Sequence, residues 1–232
     1  MATSGSTDFN LTRNQIILDA LDLLGVGADG ETPSSDLVAR CARRLNAMVK
    51  AWEAAGTHLW TKTEGQLTSI ADRQSYTFGG TAPDFAVRAL KILSVRRRES
   101  GIDTPLTALS REDYFDLPDK STASIPTSFY YDPQLTQARL YVWPPMATGN
   151  SMTLHFTYAR QIEDFDAANN NPDFPQEWLE ALTYNLAVRL APVVGVALRA
   201  DVAAIAAESL DTARGFDVEP ASVMIGVDLG VR

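Results

Sequence analysis

Catalytic groups that work near neutral pH are scarce in this chain of 232 residues: it has two histidines, His58 and His155, and one cysteine, Cys41. A nucleophilic serine or cysteine needs a base within hydrogen-bond reach, and no G-x-S-x-G elbow signals one. His155 alternates with Leu154 and Phe156 and reads as a residue on a sheet face; His58 lies in a different β-patterned segment. Cys41 sits on the apolar stripe of an expected helix and reads as a small core residue; a lone cysteine also rules out an internal disulfide. Glu112 and Asp113 are the carboxylates a hydrolase, such as a carbohydrate-cleaving module, would recruit. Neighbours on one helical turn point apart, whereas acid/base cleavage needs two carboxyls facing across a cleft.

Three further patterns have a binding reading beside a structural one. Gly25-Val26-Gly27-Ala28-Asp29-Gly30 matches G-x-G-x-x-G letter for letter, but a helix precedes it where the dinucleotide motif needs a strand, so a helix C-cap and loop are expected. Glu163, Asp164, Asp166, Asn169, Asn170, Asn171 and Asp173 form an oxygen-rich loop without EF-hand spacing, which reads as a solvated loop feeding a helix. Arg96, Arg97 and Arg98 close a strand before Gly101 and are candidates for contact with a partner or with DNA phosphate. Strand alternation keeps the three from facing one way. Trp143 before two prolines, and Phe129-Tyr130-Tyr131, fit core packing better than an interface.

Composition narrows the class. With 45% hydrophobic and 21% charged residues the chain reads as an ordinary globular protein. A net charge of −9 disfavours gripping nucleic acid through many phosphate contacts but does not exclude a surface that lets DNA slide past. No apolar run reaches the ~20 residues of a membrane span, and Met1 to Phe9 lacks the pattern of a secretory signal.

These residues must be positioned by a helical frame around a β-rich middle. Thr12 and Gln15 make a capping box for a helix carrying Ile16, Ile17, Ala20, Leu21 and Leu24, with Gly25 as its stop. A second helix from Ser35 to Gly56 has Val38, Cys41, Leu45, Met48, Val49 and Trp52 on one stripe. Strands are expected at Leu59 to Ile70, Ser75 to Phe78, Leu90 to Arg97, Thr127 to Tyr131, Arg139 to Trp143 and Met152 to Tyr158, interrupted by a helical turn capped by Ser110 and Asp113. Pro175 is expected at the N1 position of a long helix, Pro192 and Gly195 break it, and an alanine-rich helix follows from about Val196 to Arg214. The fold class is therefore α+β: a helical bundle of N- and C-terminal hairpins, an inserted antiparallel β domain and extended terminal arms. The expected boundaries are an N-terminal arm at 1–11, a helical bundle at 12–58 and 175–214, a β-rich insertion at 59–174, and an extended tail at 215–232.

Several segments in order resemble the head-to-tail adaptor (connector) proteins of short-tailed bacteriophages. They are Leu11-Thr12-Arg13-Asn14-Gln15-Ile16-Ile17, Leu45 through Trp52, Leu59-Trp60, Leu140-Tyr141-Val142-Trp143-Pro144-Pro145, Leu154 through Tyr158, and Pro175 through Leu182. The resemblance implies a structural virion protein with no enzymatic activity and no cofactor or metal. It implies a homo-oligomeric ring, typically a dodecamer, that docks under the portal protein, joins it to a tail or nozzle protein, retains the genome and lines the DNA exit channel. It implies transient, non-specific contact with genomic DNA, no membrane partner, synthesis in the host cytoplasm and a final place at the head–tail interface. The candidate portal-binding segment is the C-terminal tail, where Val223, Ile225, Val227, Leu229 and Val231 alternate as a strand added to a partner's sheet edge would. A tail-tube or tail-completion protein is the alternative within the virion, and a virion-associated hydrolase the alternative outside that class.

Overall fold

The computed structural model describes residues 3–27, 32–56 and 58–218. It is a mixed α+β chain with, among the described residues, five α-helices and eight strands in two sheets. The chain divides into two compact units, one made of residues up to Asn46 and from Phe165 onward, the other of Ala47–Asp164.

In the first unit, α1 (Arg13–Asp22) begins where the sequence places it. The Thr12 hydroxyl accepts from Gln15 N, and the Gln15 side chain accepts from Thr12 N at 2.8 Å. The two first-turn amides that a capping box leaves open find partners in the Asn-rich loop: Arg13 N donates to the Asn170 carbonyl at 2.8 Å and Asn14 N to the Ala168 carbonyl at 3.2 Å. That loop is shaped in turn by Ala167 N donating to Asn170 Oδ1. Its oxygens thus serve a helix end. At the other end, Gly25 N donates to Asp22 O and Val26 N to Leu21 O, with Gly25 at φ +72°, the glycine-closed helix end expected of this motif. A helix precedes the G-x-G pattern as expected; its Ala28, Asp29 and Gly30 lie outside the described residues.

Helix α2 (Ser35–Ala55) buries Cys41, Leu45, Met48, Val49 and Trp52, while Arg40, Arg43 and Arg44 are exposed. Two expectations for the C-terminal helices are corrected. Pro175 is not an N1 residue: it is extended (φ −58°, ψ 154°) ahead of a 3-10 turn, Gln176–Trp178, that tucks Trp178 fully inside before α4 (Leu179–Val194) starts. Pro192 does not break α4 but sits inside its last turn, exposed, where one missing backbone hydrogen bond is left to solvent; Gly195 at φ +75° is the stop. Helix α5 runs over Ala200–Phe216, later at both ends than the expected Val196 to Arg214.

The helix α4 packs on α1 and α5. One polar group joins α4 to α5: Asn185 Nδ2 donates to the Ala206 carbonyl at 2.8 Å and, within α4, to the Ala181 carbonyl at 2.9 Å. Asn185→Ala is expected to lower stability by about 1 kcal/mol, read as a shift of the denaturant midpoint with unchanged slope.

The second unit is a two-sheet sandwich. One sheet has the order β1 (Lys62–Thr68), β8 (Thr153–Ala159), β3 (Lys91–Glu99), β4 (Ile102–Pro105); the other β2 (Ser75–Phe78), β7 (Ala138–Trp143), β6 (Ser128–Asp132), β5 (Thr107–Ala108). All neighbouring strands are antiparallel except β5 and β6, which is a departure from the purely antiparallel insertion expected. Leu59–Thr61 is a 3-10 turn rather than the start of β1. β4 and β5 were not foreseen. The short helix α3 (Arg111–Phe115) opens with the expected Ser110 and Asp113 capping box.

The sheets share one apolar core built around Phe78, Leu140, Leu154 and Phe156, each fully buried. Phe156 meets Phe78 at 5.2 Å and Phe85 at 5.0 Å, both edge-on, and Tyr158 at 5.8 Å. These rings lie against bare backbone at Gly65. A Cβ there would come within 2.5 Å of the Phe156 ring and 2.9 Å of Phe85. Gly65→Ala is therefore expected to destabilise by about 1–3 kcal/mol through overpacking, measured by thermal or denaturant unfolding.

Candidate functional site

The arginine triplet ends β3 beside the turn Ser100-Gly101. As alternation requires, Arg96 and Arg98 share one sheet face, and Arg97 turns away to donate to the Pro126 carbonyl at 2.7 Å. On the shared face Arg96 Nη2 binds Glu64 at 2.7 Å and its Nε binds Asp103 at 3.1 Å, while Arg98 holds Asp103 with both Nε (2.6 Å) and Nη2 (2.7 Å). The result is a chain of ion pairs running over β1, β3 and β4, with His155 of β8 between them and its Nε2 3.0 Å from the Thr153 hydroxyl. The Arg98 guanidinium is the main reason the Asp103 carboxyl is held down at about 2. Two carboxylates already answer the two arginines, so this face is a charge-balanced ladder rather than a bare cationic patch.

The carboxylates proposed for hydrolysis do not assemble into a cleft pair. Asp113 accepts from the Ser110 hydroxyl at 2.7 Å and from Ser110 N, which lowers its pKa and commits it to capping. Around it, Tyr114, Tyr130 and Tyr141 stack at 5.0–5.7 Å, with Arg111 over the ring of Phe115. Trp143 Nε1 donates to the Asp119 carbonyl, and Phe129 and Tyr130 are buried, the packing role expected for them. Among the described residues, no three of His, Cys, Asp and Glu gather as metal ligands, and no helix is long and apolar enough to cross a membrane.

Sequence reasoning did not find Asp84, a carboxylate that ties a loop of the β unit to its strand. Asp84 accepts from Thr77 N at 2.7 Å, from the Thr77 hydroxyl at 2.8 Å and from the Arg73 guanidinium, closing the loop after β2 onto that strand. Burial works to raise its pKa, but these hydrogen bonds outweigh burial and leave it lowered. A lowered folded pKa gives a stabilising contribution that is present above the unfolded value of about 4 and is lost as pH falls through the folded one. Asp84→Asn should cost about 1–3 kcal/mol at pH 7 and leave a variant whose stability falls less on acidification below pH 4, both read from unfolding curves at several pH values.

Two concave surfaces stand out among the described residues. In the β unit, Glu53, Gly56, His58, Thr61, Lys91 and Arg160 are among the residues lining a cavity of about 340 Å³. In the helical unit, a groove of about 650 Å³ lies between α1 and α2, floored by Leu18, Val38, Ala39 and Ala42. The candidate portal-binding residues Val223, Ile225, Val227, Leu229 and Val231 lie outside the described residues.

Among the described residues, the polar groups traced above cap, pair and pin the protein's own elements. The model of the SU10 adaptor protein family matches residues 12–221, and the chain belongs to that family of phage head-to-tail adaptors. Among solved structures it is similar, at 15% identity over 94% of this chain and 97% of the other, to a chain from the neck of an empty GTA particle computed with C6 symmetry, with a TM-score of 0.25. No curated protein matches.

Proposed function

We propose that the protein is a head-to-tail adaptor that forms a ring, a dodecamer, under the portal, joins the portal to the tail or nozzle protein, and lines the channel through which DNA leaves. The carrying observation is the family match over residues 12–221, nearly the whole chain. The acidic balance supports the conduit role, since a wall that repels phosphate lets DNA slide instead of holding it. The helices of both ends form the ring body as a bundle of hairpins, with the β sandwich as its insertion, and the tail from Val223 to Val231 adds to a sheet edge of the portal. With Arg96 and Arg98 balanced by Glu64 and Asp103 and Arg97 held by the Pro126 carbonyl, the β3–β4 hairpin offers a contact point to a partner that re-pairs these charges, and to passing DNA only a transient, non-specific one. The protein acts in the virion, at the head–tail interface, after synthesis in the host cytoplasm.

Phage particles assembled without this protein test the role. They are expected to package DNA, to lack tails and to lose the genome on standing. Tailed particles with stable genomes would remove the adaptor function.

A further inference from the structure

The groove between α1 and α2 is lined by apolar and cationic side chains together. Leu18, 41% exposed, faces Val38, Ala39 and Ala42, and Arg13 and Arg43 stand beside them with Asp166 as the acid among the lining residues. Arg43 is exposed and makes no ion pair among the described residues. Arg13 gives its Nη atoms to the Asp166 carbonyl (3.2 Å) and to Asn14 Oδ1 (3.3 Å), while its buried Nε has no hydrogen-bond partner. A volume of about 650 Å³ accommodates an aromatic side chain with its flanking backbone.

The N-terminal arm has the complementary chemistry. Residues 3–10 are exposed, and the arm is tied to its own unit where Gln176 Nε2 donates to the Thr7 carbonyl at 2.7 Å. Phe9, its one large apolar side chain, is 66% exposed and is not among the residues lining its own groove. Asp8, next to it, accepts from the Ser6 hydroxyl of the same arm.

We propose that the α1–α2 groove receives Phe9 and Asp8 from the arm of a second copy of this chain, Phe9 on the floor made by Leu18, Val38 and Ala42, Asp8 against Arg43 and Arg13. The proposal rests on the reading that the protein assembles with itself, and supplies the contact. Arm and groove are different surfaces, so the contact is head-to-tail, the kind that generates a ring when the rotation between copies closes. The arm of each copy fills the groove of the next, and every groove is filled.

Cross-linking between copies tests it directly. Phe9→Cys and Ala39→Cys, each made alone in the full-length chain and then mixed, are expected to give a disulfide-linked dimer well above the level in either variant by itself; Cys41 is buried and does not compete. Phe9→Ala should raise the concentration needed for self-assembly by about ten- to hundred-fold. Asp8→Arg and Arg43→Asp should each weaken assembly, and their combination should restore it, an outcome that a general loss of folding cannot produce. If the chain assembles, as seen by native mass, yet gives no cross-link and is indifferent to Phe9→Ala, the groove assignment is wrong while assembly stands. If the unmodified chain forms no assembly, alone or on the portal, both are wrong.

Discussion

Removing residues 219–232 is expected to abolish attachment to the portal while leaving the thermal unfolding of the chain within about 1 °C of the full-length protein. The cut falls two residues beyond Phe216, where α5 ends, so it spares the α4–α5 contact and the Asn185 bond to Ala206. What it removes is the alternating run Val223, Ile225, Val227, Leu229, Val231. Strand addition draws its affinity from main-chain hydrogen bonds and its selectivity from alternate side chains, so losing the whole segment removes both together. A milder variant separates pattern from length: Ile225→Asp with Val227→Asp keeps every residue position but puts charge where apolar side chains enter the partner, and should weaken attachment by at least tenfold. Attachment is read by co-sedimentation with purified portal rings. A truncated chain that still sediments with the portal would transfer the docking role to another surface.

The largest expected effect on stability comes from Phe156→Ala. Its ring is fully buried and touches Phe78, Phe85 and Tyr158, rings that belong to both sheets and to the loop between β2 and β3. Truncation leaves a cavity where three rings meet, and the loss is about 3–5 kcal/mol, a fall in Tm on the order of 10 °C. Gly65 makes the same point from the opposite side, since the ring's closeness to that backbone leaves little room for neighbours to shift into the hole. Thr157, adjacent in β8 but half-exposed, is the control: Thr157→Ala should stay within about 0.5 kcal/mol.

How much of this was legible depended on whether the responsible groups lay close in sequence. Thr12 with Gln15 and Ser110 with Asp113 act within one turn, and both capping boxes form as read. Ser75–Phe78 is followed directly by Gly79-Gly80, and the strand ends there. Errors arise where the deciding partner is distant. β4 (Ile102–Pro105) mixes the strand formers Ile102 and Thr104 with Asp103 and Pro105, too short and mixed a signal to read; it forms on the ladder that Arg96 to Glu99 offer across the Ser100-Gly101 turn. Pro105 is tolerated there because β4 is an edge. The segment Leu59-Trp60 has strand composition, yet His58 stacks on Trp60 at 4.5 Å and the backbone closes into a 3-10 turn, Thr61 N donating to the His58 carbonyl.

The candidate surfaces divide the same way. The arginine triplet was visible as a cluster, and alternation separated Arg97 from its neighbours, but Glu64 and Asp103, the carboxylates that neutralise Arg96 and Arg98, come from other strands. The Asn-rich loop was readable as a loop, while its service to the α1 N-terminus rests on Asn170 and Ala168 meeting Arg13 and Asn14 across most of the chain. The α1–α2 groove has no local signature, because its lining runs from Arg13 to Asp166.

The native mass of the purified protein, alone and after mixing with the portal ring of the same phage, bears most directly on the adaptor reading. A complex carrying twelve copies of this 25.3 kDa chain per portal ring is the result the account predicts. A chain that keeps its own mass and never joins the portal would contradict it.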